Sequence, residues 1–475
     1  MQRERVLKEI RDKNVTVVGL ARSGIGAANL LSELGAKVTV TDTKTEEELK
    51  DLIPKINPSV RRILGSHPED VFVDADFLVV SPGVPLDIRP LLSAKSRNVP
   101  IFGELELAYQ VIGMRKEGAG SRPEFLAVTG TNGKSTTTAL LDFMMKKAGF
   151  RTILGGNIGN AVTEEISKMS TGRDYIVVEV SSFQLESIKD FRPKVAALLN
   201  ITPDHLDRYP SFEAYGAAKA RIFENQTADD LLVLNRDDHE VMKTQNEKLG
   251  TKIGKPKVIY FSLKQEVEGL YFKDGIIYCN TPGAPFAPCL SPLIRAEEIR
   301  IKGVHNLENA MAASAMALLA GSPVEAVQDS LREFTGLEHR LEFVRELGGV
   351  VYFNDSKGTN VDAVIKSIES FSQPVILIAG GRDKAGDFSR LKKAVRERIK
   401  ALVLIGEAAE KIEKALGDAT DTIIARDLRD ATLISRSRSA PGDAVLLSPA
   451  CASFDMFENF EDRGRQFKSI VMEMH

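Results

Sequence analysis

FLAVTGTNGKST, residues 125–136, sets the architecture of the whole chain. This segment predicts a short apolar strand, a glycine-rich turn and the start of a helix at residues 134–147. Glycines let backbone N–H groups approach phosphate oxygens, and a helix N-terminus favours negative charge. Lys134 would then reach the β- and γ-phosphates of a nucleotide, and Ser135 would ligate Mg²⁺. Val128 replaces the first glycine of the full P-loop pattern, so the alternative is an ordinary strand–turn–helix with an exposed lysine.

Working outward, the alternation of strands and helices recurs on both sides of this segment. Alternation at this spacing predicts parallel sheets joined by right-handed helical crossovers, and therefore an α/β protein. Helices are expected at 23–34 and 306–320. Residues 255–302 differ, since their short β-prone pieces and the turn Asp274-Gly275 predict a small antiparallel patch. The other predicted strands are 15–20, 38–41, 77–80, 175–180, 195–200, 231–234, 350–353, 374–379, 401–405 and 444–447.

The chain is long enough for several domains. Its 475 residues correspond to roughly three domains of ordinary size. Residues 113–123 are glycine-rich and charged, which is typical of a linker, and the α/β pattern restarts near residue 336. We predict an N-terminal domain at 1–112, a linker at 113–123, a central domain at 124–336 and a C-terminal domain at 337–475.

Composition excludes several classes of protein. Lys and Arg number 63 against 66 Asp and Glu, a net charge of −3 that argues against a nucleic-acid partner. Three cysteines without metal-ligand spacing argue against a disulfide framework or a zinc site, and suit a reducing compartment. No apolar signal core opens the sequence, and no stretch approaches the ~20 apolar residues of a membrane span. We expect a soluble, cytoplasmic protein with no membrane partner.

Two loops of the central domain carry candidate metal ligands. Glu179 ends a predicted strand, where a metal-directed carboxylate belongs in a Mg-nucleotide site. The alternative is a solvated charge at a strand end. The loop at 200–208, NITPDHLDR, concentrates oxygen and imidazole ligands around His205.

Lys219 lies on the apolar side of a predicted helix. Its neighbours at helical spacing are Phe212, Tyr215, Ile222 and Phe223. Burial would disfavour the ammonium and lower its pKa, and a neutral amine can react with CO₂ to form a carbamate. The alternative is a lysine whose amine reaches the surface.

The N-terminal glycine loop, residues 19–26, resembles a dinucleotide fingerprint in which Ala21 breaks the GxGxxG spacing. The loop fits any diphosphate that docks on a helix N-terminus. Asp42 follows the next strand, and Ser81 could line the same cleft.

The C-terminal domain offers three loops, each after a predicted strand: 354–360, 380–384 and 448–455. Ligands collect at the carboxyl ends of the strands in doubly wound sheets. Lys357, Thr359, Lys384 and Ser453 would therefore converge on one anionic ligand.

Four short motifs together resemble the ATP-dependent Mur ligases of peptidoglycan synthesis. They are the GTNGKST loop, Asn157-Ile158-Gly159, the pair His305-Asn306 with Asn309, and His339-Arg340. The resemblance covers essentially the whole chain. It implies a Rossmann-like N-terminal domain, a P-loop ATPase-like central domain with the antiparallel patch, and a Rossmann-like C-terminal domain. Residues 181–186 and 448–464 resemble the branch that joins D-glutamate to UDP-N-acetylmuramoyl-L-alanine through an acyl phosphate.

The resemblance also implies residue roles, with ATP as co-substrate, two Mg²⁺ ions and a monomeric enzyme. Catalysis would rest on Lys134, Glu179, His205 and Lys219. The metal ligands would be Ser135, Glu179, His205 and carbamylated Lys219. ATP would be held by Gly130, Thr131, Asn132, Gly133, Lys134, Ser135, Thr136, Asn309, Arg340 and Asp355. The UDP substrate would be held by Arg22, Ser23, Asp42, Thr43, Ser81, Asn157 and Ser181. D-Glutamate would be held by Thr359, Lys384, Ser453 and Phe460.

Other functions remain open at the level of sequence. A folylpolyglutamate synthetase-like ligase shares the central and C-terminal domains, but the UDP-type N-terminal domain argues against it. Another Mur ligase is a further alternative. A regulatory ATP-binding module would need no amino-acid pocket, and Ala21 disfavours a nicotinamide oxidoreductase.

Overall fold

A computed structural model of the protein describes residues 10–114, 122–169, 174–205, 208–250, 254–281, 291–371, 373–383 and 386–474. Within these residues the chain forms three sheets in succession, each flanked by helices. The predicted α/β architecture of three successive units is therefore confirmed.

The first sheet is parallel throughout, with strand order β3-β2-β1-β4-β5. Its strands are β1 (Asn14–Val18), β2 (Lys37–Asp42), β3 (Arg61–Leu64), β4 (Phe77–Val80) and β5 (Ile101–Gly103). Its helices are α1 (Arg22–Glu33), α2 (Asp70–Val73), α3 (Arg89–Ser96) and α4 (Glu104–Met114). The order reverses between β1 and β4, which places the loops after both strands at one crevice.

The middle sheet is parallel over most of its width, with order β14-β13-β12-β11-β10-β9-β6-β8-β7. Its strands are β6 (Glu124–Thr129), β7 (Thr152–Gly156), β8 (Tyr175–Glu179), β9 (Val195–Leu198), β10 (Leu231–Asn235), β11 (Lys257–Ser262), β12 (Gly269–Lys273), β13 (Ile276–Asn280) and β14 (Ser291–Arg295). Its helices are α5 (Lys134–Lys147), α6 (Val162–Ser167), α7 (Ser182–Glu186), α8 (Phe212–Ala220), α9 (His239–Leu249), α10 (Val304–Leu319) and α11 (Val324–Glu333).

The predicted antiparallel patch is confirmed at one edge of the middle sheet. Strand β13 pairs antiparallel with both β12 and β14. Asp274 and Gly275 connect β12 to β13 with φ values of 51° and 79°. Two successive positive φ values are the geometry of a tight hairpin turn whose twist matches that of the strands.

The last sheet has the order β15-β16-β20-β17-β18-β19, in which β15 runs antiparallel to β16 and the other pairs are parallel. Its strands are β15 (Glu342–Leu347), β16 (Val350–Asn354), β17 (Val375–Gly380), β18 (Ile399–Ile405), β19 (Asp421–Ile424) and β20 (Ala444–Leu447). Its helices are α12 (Val361–Glu369), α13 (Lys392–Arg398), α14 (Ala409–Leu416), α15 (Leu428–Arg438) and α16 (Phe460–Glu473). Short 3₁₀ helices cover Ile53–Lys55, Arg221–Phe223, Ala296–Glu298 and Phe388–Leu391.

Several predicted boundaries are corrected by the structure. The first strand ends at Val18 and not at residue 20, because Gly19 takes a φ of 90° and turns the chain. Helix α4 continues to Met114, so it overlaps the start of the predicted linker at 113–123, of which residues 115–121 lie outside the described part. Sequence analysis missed β3, β5, β15 and β19, which are short or half-exposed. It also missed the buried strand β7, whose sequence TILGG ends in two glycines.

A shared core joins the first two sheets. One apolar cluster includes Val17 and Phe102 from the first sheet together with Phe125 and Val178 from the middle sheet. Burying this surface from both sides stabilises the first two sheets as a single body.

Two buried carboxylates complete this junction, which we call the seam. Glu104 accepts hydrogen bonds from the backbone N–H of Thr163 at 2.6 Å and from its hydroxyl at 2.8 Å. Glu106 accepts the backbone N–H groups of Lys189 at 2.8 Å and Phe191 at 2.9 Å. Both carboxylates belong to α4, and their donors belong to the middle domain.

Candidate active site

The glycine-rich turn after β6 forms a cradle that only glycine fits at one position. Gly133 caps α5 with a φ of 84°, a left-handed conformation that side chains rarely adopt. A Cβ there would lie 2.2 Å from Oδ1 of Asn309 on α10. The Lys134 amine folds back over the turn and donates to the carbonyls of Gly130 at 2.9 Å and Thr131 at 2.8 Å. The turn thus combines a helix N-terminus with a cation.

This cradle opens into a cleft between the middle and last domains, with a volume of about 1060 Å³ that includes space open to solvent. Many of the residues implicated by sequence meet there. They are Thr131, Asn132, Gly133, Lys134, Ser135, Asn157, Glu179, His205, Asn309, Arg340, Asp355, Thr359 and Phe460.

Glu179 lies at the floor of the cleft and is 1% exposed. Asn157 donates from Nδ2 to its Oε1 at 2.6 Å, whereas Oε2 has no hydrogen-bond partner among the described residues. Burial raises the pKa of this carboxyl, but the charges of Lys357 and Lys134 and the bond from Asn157 outweigh it, so the pKa is lowered overall. Glu179 is therefore ionised, with one oxygen available for a cation.

Lys219 is buried beneath the cradle and is 1% exposed. Its amine donates to the Gly130 carbonyl at 2.7 Å and lies 4.4 Å from the centre of the Tyr215 ring. Burial, and then the positive charge of Lys134, lower the pKa of Lys219 well below its ordinary value. The amine does not reach the surface, and its neutral form is the one that reacts with CO₂.

His205 borders the cleft from the loop after β9. It takes a φ of 53°, and its Nε2 lies 3.7 Å from Oδ2 of Asp204. The ring packs edge-on against Phe183 at 4.8 Å between centroids. Residues 206–207 of the predicted ligand loop lie outside the described part of the chain.

The described residues contain no group of three or more His, Cys, Asp or Glu side chains that could hold a metal ion alone. Glu179 nonetheless presents one unpartnered buried oxygen, and Ser135 lies beside it on the cleft wall. Mg²⁺ binds through one or two protein oxygens, several waters and the phosphates of a substrate. The residues present fit a cation of this kind in the company of a nucleotide.

The last domain contributes a second cation to the cleft. Lys357 lies 5.1 Å from the centre of the Phe460 ring. Burial lowers its pKa to about 8, even though Glu179 favours the charged form. Thr359 and Phe460 line the cleft beside it. Ser453 is 2% exposed and is absent from the residues that line the cleft, and Lys384 lies outside the described residues.

Asp355 reaches the cleft, but other protein groups already occupy its carboxylate. The hydroxyls of Ser448 at 2.6 Å and Ser367 at 2.7 Å and the backbone N–H of Leu341 at 3.2 Å donate to it. Burial raises the pKa of Asp355. Its neighbour Arg340 faces the cleft with an Nε that has no partner within the described ranges. In this conformation Asp355 supports the turn that presents Arg340.

Two of the residues expected to bind the UDP substrate hold the N-terminal glycine loop in place. Asp42 accepts the backbone N–H of Leu20 at 2.6 Å and that of Lys44 at 2.9 Å. Ser81 donates from its hydroxyl to the Gly19 carbonyl at 2.8 Å. Thr43 is exposed at the same edge of the sheet. These contacts shape the loop ahead of the α1 N-terminus.

The remaining residues expected at the UDP substrate have protein partners here. Arg22 donates to the carbonyls of Gly159 and Gly156, the latter at 3.4 Å. Ser181 accepts the backbone N–H of Gln184 at 3.3 Å and so caps α7. Ser23 is partly exposed in the first turn of α1.

Sequence reasoning missed the side chains that join the two walls of the cleft. The amide of Asn360 lies 3.4 Å from Asp204 and 3.5 Å from Asn132. Lys366 of α12 lies 3.9 Å from Glu308 of α10. These groups belong to separate domains, and no local sequence pattern predicts which of them are in contact.

Among the described residues, no helix is both long enough and apolar enough to cross a membrane. Family models cover most of the chain: "Mur ligase MurD-like, N-terminal domain" matches residues 13–103, "Mur ligase middle domain" matches 128–317, and "Mur ligase, glutamate ligase domain" matches 339–451.

Two similar relatives carry the name UDP-N-acetylmuramoylalanine–D-glutamate ligase. The one from Geotalea daltonii is 47% identical over 98% of both chains. The one from Clostridioides difficile is 44% identical over 98% of this chain and 99% of its own.

Solved structures agree with this fold at lower identity. UDP-N-acetylmuramate-alanine ligase MurC from Thermotoga maritima has a TM-score of 0.60 at 18% identity, covering 97% of this chain and 99% of its own. MurF from Acinetobacter baumannii also has a TM-score of 0.60, at 15% identity, covering 96% of this chain and 91% of its own.

Proposed function

The chain belongs to the Mur ligase family, and from this premise we propose that it joins D-glutamate to UDP-N-acetylmuramoyl-L-alanine with conversion of ATP to ADP and phosphate. The observation that carries the proposal is the cleft itself. A phosphate cradle, an ionised carboxylate with a free oxygen and two lysines face one another there, in a chain 44–47% identical to enzymes named for this reaction.

The chemistry requires that a poor electrophile be activated. A carboxylate resists attack by an amine, so transfer of the ATP γ-phosphoryl group would first convert it to an acyl phosphate. The amine of D-glutamate then attacks the carbonyl carbon, and phosphate leaves from the tetrahedral intermediate. Lys134 on the cradle and Lys357 on the opposite wall would offset the negative charge that gathers at the γ-phosphate.

Mg²⁺ supplies Lewis-acid stabilisation of phosphoryl oxygens when it is bound. Ser135 and Glu179 are the residues we assign to one ion. We assign a second ion to His205 and to Lys219 in its carbamylated form. The lowered pKa of Lys219 supports this, because the neutral amine is the form that captures CO₂.

We assign the substrate contacts to loops at the carboxyl ends of the strands. Backbone N–H groups at the α1 N-terminus would bind the diphosphate of the UDP substrate, with Asp42, Thr43, Ser23 and Ser81 around them. Asn309 and Arg340 would hold the nucleotide on both sides of the cleft. We assign D-glutamate to Thr359, Lys384, Ser453 and Phe460.

The cleft would also exclude water, which otherwise hydrolyses the acyl phosphate. Asn360 and Lys366 reach across it from the last domain, so that domain would act as the lid that closes on bound substrates. We propose that the enzyme acts as a monomer in the cytoplasm.

An amino-acid panel tests the proposal. Purified protein is supplied with ATP, Mg²⁺, UDP-N-acetylmuramoyl-L-alanine and one of D-glutamate, L-glutamate, L-alanine or meso-diaminopimelate. Phosphate release and a product of the mass of the D-glutamyl adduct are expected with D-glutamate alone. In a parallel reaction a folate acceptor replaces the UDP substrate. Phosphate release in that reaction, or a product with another amino acid, would overturn the assignment.

A further inference from the structure

Arg22 belongs to the first domain, yet its side chain is engaged by the middle domain. It is the first residue of α1, directly after the N-terminal glycine loop. Its guanidinium donates to the carbonyls of Gly159, of Gly156 at 3.4 Å and of Asn157 at 3.5 Å. One cation thus gathers three carbonyl oxygens of the loop that follows β7.

That loop is pressed against Glu179. The backbone N–H of Asn157 donates to the Glu179 carbonyl at 2.9 Å, and its side-chain amide donates to Oε1 at 2.6 Å. A Cβ on Gly156, whose φ is 100°, would lie 2.3 Å from the same carbonyl. Asn157 therefore fixes both the backbone and the carboxylate of Glu179, and its own backbone is fixed by Arg22.

We propose that Arg22 is a positioning residue for the cation site: through the loop at 156–159 it holds Asn157, which orients Glu179. The cation itself rests on the proposed function. A guanidinium has a rigid fork of donors, so it can fix several carbonyls at once. Partners behind a metal ligand orient it, and their loss weakens metal binding.

The same contact links two sites. Arg22 is the first residue of α1, and the N-terminus of α1 faces the expected diphosphate position. A diphosphate bound there would therefore contact the same helical turn that carries Arg22, the residue that positions Glu179. UDP binding is therefore expected to tighten cation binding across the seam, and cation binding to tighten UDP binding equally.

Binding of Mn²⁺ in the presence of ADP, followed by electron paramagnetic resonance, measures the cation site without turnover. Arg22→Met is expected to raise the Mn²⁺ dissociation constant about tenfold, and Arg22→Lys to restore part of the loss. Arg89→Met is the matched control, since Arg89 lies in the same domain and is 89% exposed. Mn²⁺ affinity in Arg22→Met equal to that of the control would overturn the proposal.

A double-mutant cycle separates positioning from general damage. In an Asn157→Ala background, Arg22→Met should cause no further loss of Mn²⁺ affinity, because the link from Arg22 to Glu179 is already cut. Additive losses would mean that Arg22 acts by another route, and would refute the proposal. Arg22→Lys serves in the cycle if the Met variant does not fold by circular dichroism.

A third experiment measures the effect of UDP on Mn²⁺ binding. Calorimetry should show that UDP tightens Mn²⁺ binding in the unchanged protein and not in Arg22→Met. If Arg22 instead bound the diphosphate directly, the variant would lose UDP affinity with Mn²⁺ affinity unchanged. A protein that forms no D-glutamyl product but shows the Mn²⁺ effects would refute the proposed function and leave the role of Arg22 standing.

Discussion

Replacing Lys357 with Met should reveal how much free energy the folded protein loses by holding the positive charge of this lysine in the cleft. Burial depresses the pKa of this lysine from its ordinary value of 10.5 to about 8. Below pH 8 the folded and unfolded chains both carry the proton, and above pH 10.5 neither does. Between these limits the unfolded chain binds more protons, so the stability of the unchanged protein rises with pH relative to the variant.

The size of this effect follows from the two pKa values. At about 1.4 kcal/mol per pKa unit, the gap corresponds to about 3 kcal/mol. Folding thus disfavours charged Lys357 by about 3 kcal/mol below pH 8, and this penalty disappears as the pH rises through the window from 8 to 10.5. Turnover in the variant is expected to fall at least a hundredfold, about the loss that follows removal of one preorganised charge-stabilising group.

Urea unfolding of both proteins at intervals between pH 7 and 10.5 measures the difference. Across this range, the free energy of unfolding of the unchanged protein should increase by about 3 kcal/mol relative to that of the Lys357→Met variant. Lys50→Met, at an exposed lysine on the first domain, controls for the loss of one positive charge. A difference between protein and variant that does not change with pH would show that Lys357 is not held in a depressed state.

Three further substitutions test the site and its supports. Lys134→Ala should abolish turnover with an unchanged circular dichroism spectrum, because the cradle loses its cation; near-normal activity would contradict the phosphate assignment. Lys219→Ala should cripple the enzyme, and removal of dissolved CO₂ should slow the unchanged protein until bicarbonate is added. Normal turnover in Lys219→Ala would exclude a metal-ligand role. Arg463→Met should lower the free energy of unfolding by about 2–3 kcal/mol in urea, since buried Arg463 bonds to the hydroxyl and carbonyl of Ser356; a loss below about 0.5 kcal/mol would contradict this.

Local sequence signals carried much of the fold and the centre of the site. The strand, glycine turn and helix around Lys134 were predicted because their determinants lie within a dozen residues. Apolar neighbours one helical turn away, at Tyr215 and Phe223, indicated that Lys219 could be buried, but they left open a lysine that reaches the surface; the structure buries it. Strand β20 was predicted to the residue, since its four residues form an uninterrupted buried apolar run.

The features that could not be predicted from the sequence are contacts between domains. Arg22 was expected at the UDP substrate, and its bonds to the loop at 156–159 arise only when α1 approaches the middle sheet. The pair Lys366 and Glu308 likewise spans two domains. The depressed pKa of Lys357 requires the burial that the cleft between two domains provides, which no spacing along the chain encodes.

The seam also limits how such a chain can be rebuilt. Glu104 accepts the backbone N–H and the hydroxyl of Thr163, and Glu106 accepts backbone N–H groups around Phe191, so a chimaera that keeps the first domain and takes a foreign middle domain would inherit two buried carboxyl groups without these donors. A buried carboxyl group left without its donors destabilises a protein by about 1–3 kcal/mol, a large part of the margin that keeps a domain folded. A chimaera designed to change the nucleotide-sugar acceptor should therefore take the first two domains together from one protein, including the segments around Thr163 and Phe191.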